Sequence, residues 1–269
     1  MSDRRSAFGT LFEALELMVK SRKELYRVAF LFVLADFLYI VRFRLADPTG
    51  GGLPGNHWAL LGEPGESESW LGLFAVIYLF SVFAVAWHRT ILLGSSGAGG
   101  IFGVRFGLRE LRYFGLVCLT ILLAMLAGMF LFALASLLGA GFAAAAASVI
   151  LLLRIASALA IAYIAGRVGL AFAALSIDQP LGLHGSWKST AGQGFGIFAA
   201  NFVSVIVGCL GLLGLIWFGR NFGIGRYAPY FSLLLLSMLV AAFLGLVITV
   251  NALAFDRLGR IKAPLRYER

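Results

Sequence analysis

Polar and charged residues in this chain are gathered into short segments, and six apolar runs lie between them. The runs are Leu25–Leu45, Trp70–Leu93, Tyr113–Leu138, Phe142–Ala165, Phe195–Phe218 and Phe231–Phe255. A hydrocarbon core ~30 Å thick needs about 20 helical residues to cross it. The pattern therefore predicts an all-α, polytopic membrane helix bundle of about six transmembrane helices, forming one domain over residues 1–269. The stretch Phe142–Ile177 carries only two charges, Arg154 and Arg167. It is too long for one crossing, so its end past Arg167 is expected to emerge into the cytoplasmic interface before Asp178-Gln179-Pro180 turns the chain.

Two further segments have a helical rather than a continuous apolar pattern. In residues 1–23, Phe8, Leu11, Phe12, Leu15 and Val19 share one face, while Glu13, Glu16, Lys20 and Lys23 fall largely elsewhere. This predicts an amphipathic helix in the headgroup plane or packed on the protein's own cytoplasmic face. Leu183–Gln193 predicts a short mid-chain interfacial helix that lays Trp187 and Lys188 on the membrane surface. The bundle proper spans 24–256, and 257–269 is a basic cytoplasmic tail.

Connections are marked by glycine, proline and charge. Residues 46–69 hold Asp47, Glu63, Glu66 and Glu68 among glycines and prolines and predict an irregular outer loop. Trp87 is expected to anchor the inner end of the second span, followed by His88 and Arg89 at the boundary. Beyond a glycine-rich loop, Arg105, Arg109 and Arg112 recur at helical spacing and predict a basic stripe at the headgroups. Gly139-Ala140-Gly141 predicts a tight turn, making the third and fourth spans antiparallel neighbours. Gly192, Gly196, Ala200, Ser204 and Gly208 stand four apart and predict a ridge of small residues through which another helix, or a second copy of the chain, packs closely.

Composition sharpens this picture. Hydrophobic residues make up 61% of the 269 and charged ones 13%, and mean hydropathy is +0.93. A soluble domain is nearer half apolar and about a quarter charged. The net charge of +9 points to anionic headgroups on the cytoplasmic side rather than to nucleic acid. Of the 22 lysines and arginines, 17 fall in segments read as inner; Arg42, Arg44, Arg220 and Arg226 are outer, and Arg154 is mid-span. Both termini are thus expected in the cytoplasm of a bacterial inner membrane. Residues 1–25 lack a continuous apolar run, so the first span is expected to act as an uncleaved anchor. Cys118 and Cys209 both lie in predicted spans, which argues against a structural disulfide or a zinc site.

Reactive constellations are scarce. Gly94-Ser95-Ser96-Gly97 matches the short G-x-S-G of rhomboid-type proteases, but it falls in a cytoplasmic loop and the sixth span offers no histidine as base. His57, His88 and His184 fall on both sides of the predicted membrane and cannot share a metal. No catalytic residue, cofactor or metal site is expected. The remaining candidates are the charges inside spans. Asp36 lies ~16 Å and Arg154 ~19 Å from the inner boundary at the helical rise. Their matched depth and opposite sign predict an intramembrane pair, since a lone charge there costs at least about 2.5 kcal/mol.

Trp87-His88-Arg89, Arg167-Val168-Gly169-Leu170 and Asp178…Ser186-Trp187-Lys188-Ser189-Thr190…Gly194 resemble a group of six-helix bacterial inner-membrane proteins. They are similar to the membrane domain that precedes the catalytic barrel in some glycerophosphodiester phosphodiesterases. No barrel follows here, as the chain ends 14 residues after Phe255, so that activity is not expected. The resemblance implies a six-helix membrane module touching lipids or envelope homeostasis. The function expected is a non-enzymatic structural or lipid-interacting one. The alternative is a small transporter or channel subunit working through Asp36 and Arg154.

Overall fold

The computed structural model describes residues 7–46, 67–94, 101–139, 159, 163–164, 166–179, 181–221 and 229–258. Among them every regular element is helical: α1 (Ala7–Lys20), α2 (Arg22–Ala46), α3 (Ser67–Leu93), a 3₁₀ turn (Ile101–Gly103), α4 (Leu108–Gly139), α5 (Gly166–Ser176), α6 (Leu183–Ser189), α7 (Gly194–Asn221) and α8 (Pro229–Leu258). Four helices contain stretches long and apolar enough to cross a membrane: Trp70–Leu93, Leu108–Phe130, Gly194–Leu215 and Tyr230–Leu258. Outside the described residues lie most of the fourth expected span, with Arg154, and positions 47–66 of the loop read at 46–69, whose last three residues instead begin α3. Also outside them lie the glycine-rich segment 95–100, the Ala140-Gly141 turn, the loop at 222–228 and the tail from 259.

The outer faces of these helices explain why the chain suits a bilayer. Along α4, Leu119, Leu122, Met125, Leu126, Met129 and Phe130 are exposed. Along α7, Val207, Leu210, Leu213 and Trp217 are exposed as well. Soluble proteins rarely leave apolar patches of this extent uncovered. In lipid the same faces carry no such penalty, because acyl chains are as apolar as leucine.

α8 is the element the others gather on. It touches α1, α2, α3 and α7. Against α2 and α3 it closes a core that includes Val28, Phe32, Phe83, Trp87 and Ile248. Phe32 stacks on Phe83 with ring centroids 5.7 Å apart and meets Phe80 edge-on at 5.8 Å. α5, the segment past Arg167, packs into the protein. Leu170, Ala173 and Ala174 are fully buried against Leu92, Ile197, Ala252 and Phe255. The reason is shape: alanines and Gly169 let α5 come so near α8 that a Cβ on Gly169 would lie 2.5 Å from Asn251 Oδ1.

α1 packs on the bundle. Leu11 and Ala14 are buried against Ala200, Leu246 and Val250. Arg257 at the end of α8 ties α1 down, donating to Thr10 Oγ1 at 2.9 Å and pairing with Glu13. Phe12 and Val19 on the other side remain exposed, an apolar stripe left for the headgroup region.

The small-residue ridge splits. Ala200 and Ser204 are buried, and the Phe243 ring of α8 fills the space where Gly208 would carry a side chain. Gly192 instead lies in the turn before α7 with φ +81. Both Gly192 and Gly196 are exposed, and a Cβ on either would meet nothing within 4 Å among the described residues. Positions four apart drift slowly around a 3.6-residue helix, so the two ends of the ridge face different neighbours. Gly208→Leu is expected to destabilise the protein in detergent by about 1–3 kcal/mol through overpacking. Gly196→Leu is expected to leave it unchanged. Thermal unfolding of the two variants beside the parent checks both.

Candidate functional site

A helix that ends inside a protein leaves carbonyls without partners. α5 ends this way, and the groups that answer its carbonyls build the most polar part of the described structure. Gln179 N donates to Ala174 O at 2.9 Å and Asp178 N to Leu175 O at 3.3 Å. This is a Schellman cap, with Asp178 in the left-handed position at φ +58. The next carbonyl, Ser176 O, accepts from Arg89 Nη1 of α3 at 3.2 Å. Arg109 of α4 grips the Asp178 carboxylate with two nitrogens, one of them Nε at 2.9 Å. A carboxylate at a helix C-terminus is disfavoured by the helix dipole, and the bidentate guanidinium offsets that. Two cations from α3 and α4 therefore meet at the negative end of α5.

The link into α4 folds back over the same place. Gly103 takes φ +75, a conformation that favours glycine, and it lies against the Arg27 guanidinium. Phe102, at φ 55, sets its ring 5.3 Å from Phe30, and Phe106 sets its ring 6.4 Å from Tyr78. Between this link and α3 opens a small, shallow cleft lined by Val85, Ala86, Arg89, Gly103, Arg105, Arg109 and Glu110. Arg89 lies within Coulomb range of Arg105 and Arg109 as like charges and of Asp178 and Glu110 as opposite ones. Glu110 is buried in the first turn of α4, where a negative charge suits the helix dipole. Arg105 is exposed and makes no hydrogen bond or ion pair among the described residues.

The expected basic stripe is thus three different things. Arg109 is turned inward to Asp178, Arg105 is at the cleft mouth, and Arg112 is exposed outside the cleft. Arg167 is a latch: its Nε donates to Thr190 Oγ1 at 2.9 Å, its Nη2 to Trp187 O, and its guanidinium carbon sits 3.9 Å from the centre of the Trp187 ring. Ser186 Oγ donates back to Arg167 O at 2.6 Å. These contacts hold α6 beneath α5, with Trp187 and Lys188 exposed.

Trp87 and His88, expected as interfacial residues, turn into the protein. Both are fully buried. Trp87 Nε1 donates to Thr249 Oγ1 at 2.9 Å and faces Gly245 O at 3.2 Å, bonding α3 to α8. His88 Nδ1 lies 3.0 Å from Ala84 O within its own helix. Apolar surroundings pull an indole inward wherever its N–H finds a partner. Asp36 lies on α2 facing Ser237 of α8; its Oδ2 and Ser237 Oγ are both buried without a hydrogen bond of normal geometry among the described residues. Its expected partner, Arg154, lies outside them.

Sequence reasoning missed Glu110, Gly103 and the Asn201–Asn251 bond, whose Nδ2 and Oδ1 lie 3.1 Å apart and join α7 to α8. The amides had a signal, since polar side chains in apolar runs seek partners on other helices. The cleft had none, because 69 residues separate Arg109 from Asp178. No protein family, no curated protein and no solved structure matches this chain.

Asp178 does two jobs that substitution can separate. Asp178→Gly keeps the left-handed cap and loses only the carboxylate. Its side-chain exposure of 46%, against 24% for Arg109, means water screens the pair, so the expected loss is about 1 kcal/mol or less. Asp178→Ala adds left-handed strain and is expected to lose roughly 1 kcal/mol more. Denaturant unfolding in micelles distinguishes the two.

Proposed function

We propose that the chain is a six-span protein of a bacterial inner membrane, with both termini cytoplasmic, whose role is structural and lipid-interacting rather than catalytic. The observation that carries this is the use made of polar side chains. Trp87 bonds Thr249, Asn201 bonds Asn251, Arg89 caps α5, Arg109 holds Asp178 and Arg167 holds α6. Each joins one helix to another element, and together they describe a rigid body with apolar flanks and a basic end. α2 supplies one further span and the Phe142–Ala165 stretch the other, so that the arginine-bearing helix ends share the inner side. The resemblance to six-helix inner-membrane proteins supports the same count. Reporter fusions after Arg105 and Arg269 are expected to read cytoplasm, and fusions near Gly62 and Tyr227 the outside. A cytoplasmic signal at Gly62 overturns the arrangement.

One observation favours a second reading, a small transporter or channel subunit. Asp36 Oδ2 and Ser237 Oγ are both buried with no hydrogen bond of normal geometry among the described residues. Polar atoms left open at mid-span mark ion or proton paths. Proteoliposomes holding the full chain are expected to show no proton or cation flux above empty vesicles. A flux that Asp36→Asn or Arg154→Gln abolishes, with folding intact, would move the assignment to transport.

A further inference from the structure

We infer that the cleft between α3 and α4 is a binding site for the phosphate of an anionic membrane lipid, with Arg105 as the group that closes on it. The inference rests on the lipid-interacting reading above and gives that reading a location.

Charge is the first argument. The cleft and its rim hold four guanidiniums, of Arg27 against Gly103 and of Arg89, Arg105 and Arg109, and two carboxylates, of Glu110 and Asp178. Four positive and two negative charges leave an excess of positive charge, which suits an anion. The cations are not equivalent. Arg89 and Arg109 are held by Ser176 O and Asp178, so they contribute field from fixed positions. Arg105 is exposed on the mouth and has side-chain donors to give. A guanidinium presents a planar fork that matches phosphate oxygens.

Shape is the second argument. The cleft itself has room for little more than one water molecule. A phosphate therefore sits at the mouth, where Arg105 is, and not at the base. The α4 N-terminus, directly beside it, adds the positive end of a helix dipole.

Surroundings are the third argument, and they select a lipid over a free anion. The residues that flank the mouth are Phe102, Phe106, Leu108 and Leu111, which are 47%, 58%, 72% and 53% exposed. They alternate with Arg105, Arg109 and Arg112 along one short segment. A soluble phosphate makes no use of that apolar rim. A lipid does: its acyl chains lie along the phenylalanines and leucines while its phosphate reaches the arginines.

The test uses the purified full chain in neutral detergent, measuring the shift in melting temperature as phosphatidylglycerol, phosphatidylcholine or sodium phosphate is titrated. Phosphatidylglycerol is expected to stabilise the parent, and the other two are expected to do so weakly or not at all. Arg105→Ala is expected to weaken the apparent affinity for phosphatidylglycerol roughly tenfold, as loss of a charge-assisted hydrogen bond would. Arg105→Lys should recover part of it, and Arg112→Ala should match the parent. Because Arg105 is exposed and unbonded, all three variants should unfold like the parent without lipid. Equal losses in Arg105→Ala and Arg112→Ala would show diffuse surface attraction; they would overturn the cleft and leave the lipid-interacting reading standing. Stabilisation by sodium phosphate equal to that by phosphatidylglycerol would overturn the lipid as the source. An Arg105→Ala variant indistinguishable from the parent would overturn the site altogether.

Discussion

The end of α5 is the constraint from which much of the architecture at the basic end follows. A helix of leucine, alanine and glycine is driven into the bundle by its packing, and its last carbonyls go with it. Ala174 and Ser176 are fully buried there, and a buried carbonyl left unsatisfied costs a few kcal/mol. The chain answers with its own backbone at Ala174 and Leu175 and with Arg89 at Ser176. Arg89 must then leave the lipid boundary, which brings the end of α3 over α5. Asp178, placed by the cap, draws Arg109 and with it the start of α4. Three elements distant in sequence are brought together by the needs of one helix terminus.

The same rule operates higher in the bundle, where α8 is the shared partner. Lipid offers no hydrophobic drive between helices, so association depends on close packing and interhelical hydrogen bonds. α8 supplies both. Thr249 and Gly245 receive Trp87, Asn251 receives Asn201, and Phe243 fits the gap that Gly208 leaves. An intramembrane hydrogen bond is worth about 0.6 kcal/mol on average. Its larger effect is on register, because each bond specifies which residues of two smooth apolar helices lie side by side.

Two short helices complete the basic end from outside. α1 is fastened by Arg257 through Glu13 and Thr10, and α6 by Arg167 through Thr190 and Trp187. In each case an arginine near a helix end is turned to the protein. Where the chain enters α4, Arg105 and Arg112 are both exposed, and of the two only Arg105 lines the cleft. A positive surface counted from composition thus becomes, in three dimensions, a small number of available charges with distinct surroundings.

The sequence by itself determined that the chain is helical and that most of its helices are apolar, because hydropathy and period are local properties. It also determined the amphipathic character of α1 and the presence of a turn at Asp178. Only the tertiary structure decided what the polar residues do. Trp87, His88 and Arg89 read as boundary residues from their position at the end of an apolar run, yet Trp87 and His88 are buried, because α8 places Thr249 opposite the indole. Gly196 and Gly208 look alike in a four-residue repeat, but only Gly208 meets a neighbour among the described residues, since the repeat winds around its helix. Arg105, Arg109 and Arg112 look like one stripe, and are separated by where Asp178 arrives from 69 residues away. Helix formation is decided within a few residues, whereas a polar side chain in an apolar bundle takes whichever partner the packing brings to it, and that partner is seldom near in sequence.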